Sequence, residues 1–186
     1  MSARILVWIF FSIFSISFLV SAQDCKYALN QSDPITNEEN KIIDVDVSDK
    51  TVRKITDSYL NSKDSKGKSW PEFLYLTLEK NGSKYFIKYR MLKYGRDLTV
   101  ITDADTNYFK LNNGTLLKLV PLIATPNYEE NFTRYNVSIP IAKEQMEELA
   151  RAPLMFVRLG IPEKPTFSTN EKKSQKFMMA AACIIK

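Results

Sequence analysis

The chain contains no histidine. That absence removes the commonest general base, the usual near-neutral pH switch and the commonest metal ligand. Glycine is scarce, limited to Gly67, Gly82, Gly95, Gly114 and Gly160. None of these belongs to a phosphate-cradling loop or a nucleophile elbow. Cysteine occurs only as Cys25 and Cys183. Charge is nearly balanced: a net +5 suits solubility and does not single out nucleic acid as a partner. No metal ion and no cofactor is expected, and an enzyme is the less favoured reading.

One long hydrophobic run is present. Arg4 supplies a positive start, Ile5 to Val20 is almost entirely apolar, and Ser21-Ala22 offers small residues before Gln23. Residues 1–22 read as a secretory signal peptide cleaved after Ala22. The run nearly reaches membrane-spanning length, so cleavage is what leaves the mature chain without a span. Gln23-Asp24 lacks the small apolar residues that lipid attachment at Cys25 requires. Gln23 to Lys186 then suits a single globular β-rich domain, secreted or periplasmic. Losing Arg4 leaves it one charge less basic than the full chain. In an oxidising compartment Cys25 and Cys183 allow one intramolecular pairing, which would tie the mature N-terminus to the last helix.

The stretch from Trp70 to Tyr94 is the organising element. It reads as two alternating strands closed by Asn81-Gly82, the strongest short-range hairpin signal. With those two residues at the centre of the turn, Leu78 faces Tyr85, Leu76 faces Ile87 and Leu74 faces Tyr89 on one apolar side. The other side sets Glu79 against Lys84, Thr77 against Phe86, Tyr75 against Lys88 and Phe73 against Arg90. Cations there lie beside aromatic rings, where a cation–π contact is worth roughly 0.5–1 kcal/mol if exposed.

Upstream, residues 26–40 form a polar arm with a turn at Asp33-Pro34. Ile42 to Val47 alternates as a strand, with Ile43, Val45 and Val47 inward and Asp44 and Asp46 outward. Such a carboxylate pair marks a solvated strand face more often than a hard-cation site. Residues 51–60 lean towards extended structure, and a cationic loop follows them. Ser65 and Lys68 in that loop have a nucleophile–lysine spacing but a hydrophilic setting unsuited to catalysis.

Downstream, Leu98 to Thr102 reads as a short strand. Asp103, Asp105 and Asn107 imitate half of a calcium loop, which fails because Tyr108 and Gly114 stand where glycine and glutamate are needed. A second hairpin centres on Asn113-Gly114, with arms Tyr108–Leu111 and Leu116–Leu119. A polar loop over 124–131 precedes a strand over Phe132 to Ile141. Lys143 to Arg151 is a short helix with Ala142 a poor cap, and Leu154 to Ile161 is an internal strand. Ser168 and Glu171 suggest a capping box for a last helix, whose stripe is Phe177, Met178, Ala181, Ile184 and Ile185. The expected fold class is therefore α+β: a mainly antiparallel sheet of about seven to nine strands with two hairpins, one short helix and a C-terminal helix packed on the sheet.

The order of Cys25-x-Tyr27, Asn81-Gly82, Leu111-Asn112-Asn113-Gly114, Tyr135-x-Val137-Ser138-Ile139 and the final Ala182-Cys183-Ile184 resembles small exported bacterial proteins, periplasmic or surface, of unknown function. The resemblance implies a compact β-rich domain with few helices. It transfers no catalytic or binding residue. Five glycan-acceptor sequons occur, at Asn30, Asn81, Asn113, Asn131 and Asn136. They carry glycans only in a eukaryotic secretory pathway, and two of them coincide with hairpin turns.

These observations favour an exported non-enzymatic module that binds another exported protein or an envelope component such as glycan. The candidate site is the aromatic–cationic face of the ribbon: Phe73, Tyr75, Phe86, Lys88 and Arg90. Two other readings stay open. A small hydrolase or lyase using carboxylate, Lys or Tyr chemistry needs Asp44, Asp46, Asp103 and Asp105 to converge in one pocket. A carrier of a small hydrophobic ligand needs an apolar pocket.

Overall fold

The computed structural model describes residues 25–47, 73–161 and 166–186. The expected leader over 1–22, the stretch 51–60, Trp70, Ser65 and Lys68, and the side chain of Phe73 lie outside the described residues.

In chain order the elements are β1 (Leu29–Ser32), β2 (Glu39–Asp46), β3 (Phe73–Asn81), β4 (Lys84–Tyr94), β5 (Asn107–Leu111), β6 (Leu116–Leu119), β7 (Asn127–Glu129), β8 (Phe132–Ile141), α1 (Lys143–Arg151), β9 (Leu154–Arg158), β10 (Thr166–Ser168) and α2 (Glu171–Ile185). The strands form a six-stranded sheet in the order β1-β2-β3-β4-β8-β7 and a four-stranded sheet in the order β10-β9-β5-β6. Every pairing is antiparallel. The α+β class holds, with more strands than expected. The additions are β1, β7 and β10, short segments in stretches that read as arm and loop.

The central hairpin forms with a different register. Asn81 pairs with Lys84, so Leu78 faces Ile87, Leu76 faces Tyr89 and Leu74 faces Met91. The turn centre is Gly82-Ser83, and Gly82 takes a φ of +57°, the glycine-favouring first position of a two-residue turn. The reason lies in the neighbouring strand. Asn81 is drawn into the ladder opposite Asn40 of β2, which moves the turn one residue along. The Gly82 N–H donates to the Glu39 carbonyl at 2.9 Å. A Cβ at Gly82 would meet the Glu38 carboxyl at 3.0 Å, the end of an exposed side chain that can move aside, so it is the positive φ that favours glycine here. Each pairing partner shifts by two residues, an even number, so the inward and outward faces are those the alternation specifies.

The second hairpin closes through three residues, 112–114, with Gly114 at φ +92° and the Leu111 N–H donating to the Thr115 carbonyl. Leu98 to Thr102 is not a strand; it holds one isolated bridge, Ile101 with Ala124. Asp97 explains this, because its carboxylate accepts from both the N–H and the hydroxyl of Thr99, a local turn that competes with a ladder.

Helix α1 starts at Ala142 without a side-chain cap, but Gln145 reaches back to accept from the Ala142 N–H at 3.1 Å. Helix α2 is capped by Asn170, whose side chain accepts from the Lys173 N–H at 3.0 Å. Ser168 is not the cap, because β10 holds it in register opposite Phe156. The buried side of α2 comprises Lys173, Ser174, Phe177, Ala180, Ala181, Cys183 and Ile184. It is rotated from the expected stripe, leaving Met178 and Ile185 only half-buried.

The core lies between the inner faces of the sheets and the helices. Leu74, Leu76, Leu78, Ile87 and Met91 come from the large sheet, Phe109 and Leu111 from the small one, and Met146, Leu149, Phe177 and Ile184 from the helices. Helix α2 packs on β2, β3, β9 and α1, with the Phe177 ring 6.4 Å from that of Phe109. Cys25 and Cys183 form a disulfide across 158 positions, and the Tyr27 hydroxyl donates to the Cys183 carbonyl at 3.0 Å. Among the described residues no helix is long and apolar enough to cross a membrane.

Candidate functional site

Four consecutive strands of the large sheet, β2, β3, β4 and β8, present their second faces outward. Register aligns those side chains into two adjacent rungs. One rung reads Asp46, Tyr75, Arg90, Asn136; the next reads Asp44, Thr77, Lys88, Ser138. Strand neighbours lie about 4.8 Å apart, so each rung is a continuous row of side chains. Together they line an open groove of about 590 Å³.

Within the groove the polar groups are ordered. The Thr77 hydroxyl donates to Asp44 Oδ1 at 2.6 Å. The Arg90 guanidinium lies over the Tyr75 ring, 5.1 Å from its centroid. Lys88 forms an ion pair with Glu79. Carboxylates occupy one end of the rungs, cations the middle and neutral amide and hydroxyl groups the β8 end.

Of the expected site residues, Tyr75, Lys88 and Arg90 share this groove. Tyr75 is half-buried, while Lys88 and Arg90 are exposed. Phe86 is half-buried and sits beyond the groove, opposite Glu79 and Pro140. Phe73 begins β3 opposite Leu92 rather than Arg90. The cation partners therefore change with the register: Arg90 meets Tyr75, and Lys88 meets Thr77. Tyr75 and Phe86 are only half-buried, so no other described element covers this face there as it would a core layer. Asn136 and Ser138 escaped the sequence reading as site residues. Their outward direction was legible from the inward Tyr135, Val137 and Ile139, but the pairing of β4 with β8 was not.

The acidic set required by a carboxylate enzyme does not converge. Asp44 and Asp46 stand in the groove, whereas Asp105 caps its own turn, accepting from the N–H and hydroxyl of Thr102. Among the described residues no three His, Cys, Asp or Glu side chains gather as a metal site. Two carboxylates elsewhere in the fold titrate well below their ordinary range. Lys80 and Lys41 hold Glu39 down to about 2. Burial pushes Asp97 up, but hydrogen bonds from Thr99, Tyr135 and Lys93 outweigh it and bring it to about 2. All five sequon asparagines are exposed, and Asn136 stands in the groove itself.

The chain matches no protein-family model, and comparison with curated proteins and with solved structures yields no match.

Proposed function

We propose that the chain is an exported, non-enzymatic module that binds a hydroxyl-rich polymer of the cell envelope, a glycan, along the outer groove of its large sheet. The observation that carries this reading is the pair of rungs: carboxylates on β2, a tyrosine ring and a threonine hydroxyl on β3, cations on β4, and an amide and a hydroxyl on β8 stand side by side along an open groove. Planar polar groups recognise neighbouring hydroxyls through paired hydrogen bonds, and a half-buried tyrosine supplies apolar surface with a polar tip. Export is supported by the apolar run ending at Ser21-Ala22 and by the Cys25–Cys183 disulfide, a bond of oxidising compartments. A shared origin with small exported bacterial proteins is part of the same proposal.

The experiment is calorimetric titration of the mature protein with purified envelope polysaccharides, repeated with Arg90→Ala and Asn136→Ala. Binding weakened by both substitutions is the expected result. Binding that both variants retain in full, or capture of an exported protein with no affinity for any polysaccharide, would overturn the glycan reading.

A further inference from the structure

A second cavity, of about 960 Å³, lies between the start of the described chain, β2 and the N-terminal half of α2. Its apolar part is formed by Ile43, Val45, Met179, Ala180 and the Cys25–Cys183 bridge. Its polar part is the first turn of α2, where Asn170, Glu171, Lys172 and Lys173 all contribute. The positive end of a helix macrodipole favours an anion there.

Lys173 makes this more than a helix end. The residue is 9% exposed, and its Nζ is buried with no hydrogen-bond partner among the described residues. Lysine almost never buries its ammonium unpaired, because stripping water from the charge is costly unless another charge or acceptor replaces it. Three carboxylates share the lining: Asp44 accepts from Thr77, Glu171 accepts from Gln175, and Asp46 is not free. Lys26, Lys172 and Lys176, all exposed, add positive potential around the same space.

We infer that this cavity binds a single-chain anionic amphiphile, a long-chain carboxylate, with its head group on Lys173 and its hydrocarbon along β2 and the disulfide. The missing partner of the ammonium is the carboxylate, and the missing contents of the apolar part are the chain. Both halves are needed, since a bare anion would leave the apolar walls unfilled and a neutral alkane would leave the charge uncompensated. The volume falls within the ~300–1,000 Å³ typical of small-molecule sites. This inference rests on α2 and stands apart from the groove, with which the cavity shares only β2.

The test uses the mature protein with its disulfide intact, titrated with laurate, dodecanol, acetate and inorganic phosphate. Laurate should bind at one site, dodecanol at least about tenfold more weakly, and acetate and phosphate more weakly still. Lys173→Met should weaken laurate binding at least about tenfold and abolish the preference over dodecanol, while Lys118→Met, at an exposed lysine of β6 outside the cavity, changes it less than about threefold. Equal affinity for laurate and dodecanol in the unsubstituted protein, no laurate binding, phosphate matching laurate, or full retention by Lys173→Met would each overturn the proposal. The ligand comparison on the unsubstituted protein decides the matter even if Lys173→Met does not fold.

Discussion

Tyr75 and Arg90 face each other across β3 and β4, with the guanidinium 5.1 Å from the centre of the ring. Neither the Tyr75 ring nor the Arg90 side chain is fully buried, so the contact falls in the weaker range for cation–π pairs. A double-mutant cycle with Tyr75→Leu and Arg90→Met should yield a coupling of about 0.5–1 kcal/mol in urea unfolding. Zero coupling would mean that the two side chains are neighbours without mutual stabilisation.

Tyr89 presents the opposite case on the inner face. Its ring is 2% exposed, and its hydroxyl has no hydrogen-bond partner among the described residues. Burial first, and the Asp105 charge second, push its ionisation upward. An unpaired buried hydroxyl costs about 1–3 kcal/mol of desolvation. Tyr89→Phe keeps the ring and removes that cost, so the unfolding midpoint should stay level or rise. A fall of more than about 1 kcal/mol would show that the hydroxyl is satisfied.

Asn107 joins the start of β5 to the end of the β9 segment. Fully buried, it accepts from the Gly160 N–H at 2.9 Å through Oδ1, and its amide reaches the Asp105 and Leu119 carbonyls at 3.4 and 3.5 Å. Asn107→Ala strands the Gly160 N–H and should cost about 1–3 kcal/mol. Gly160→Ala is expected to be at least as harmful, because its Cβ would fall 2.0 Å from the Asp105 carbonyl oxygen, and backbone must move to admit it. Equilibrium denaturation of both variants checks the pair.

Acid stability follows from Glu39 and Asp97. Glu39 accepts from Lys80 at 2.6 Å and Lys41 at 2.9 Å, and both carboxylates sit near 2 in the folded chain against ordinary values of 4.5 and 3.8. Their folded pKa values lie below the unfolded ones, so the folded state holds fewer protons in that interval. The contribution is complete above pH 4.5 and is lost as the pH falls towards 2. With no histidine in the chain, stability should be nearly flat around neutrality. Chemical denaturation across pH should show this profile, with Glu39→Gln less stable at neutral pH and less sensitive to acid. A decline centred near neutrality would contradict it.

The disulfide spans 158 positions and anchors α2 to the start of the described chain. In the chain-entropy account a loop of that length contributes about 4–5 kcal/mol. Cys25→Ser with Cys183→Ser should lower the urea midpoint correspondingly, and non-reducing mass analysis of the unsubstituted protein should find no free thiol. A double variant within about 1 kcal/mol of the parent would show that the unfolded chain is already constrained.

Which faces are buried was legible residue by residue. The alternations over 42–47, 74–78, 85–91 and 135–141 specify inward side chains by parity alone, and parity survives a two-residue change of register. The strand over 132–141 and the helix over 143–151 were readable to their ends, and the two cysteines allowed a single internal pairing. Partnership was not legible. The short strands β1, β7 and β10 exist because neighbours complete their ladders, and no local propensity of three or four residues announces that. Likewise the β4–β8 pairing gathers Asp44, Thr77, Lys88 and Ser138 into one rung, and α2 keeps Phe177, Ala181 and Ile184 of the expected stripe inward but buries Lys173, Ser174 and Ala180 in place of Met178 and Ile185.

The hairpin over 70–94 shows the division most clearly. Local chemistry determined that Tyr75, Lys88 and Arg90 point away from the core. Only the tertiary structure decided that Arg90 covers Tyr75, that Lys88 pairs with Glu79, and that four strands share one groove, because those choices are made by strands distant in the chain competing for the same backbone hydrogen bonds.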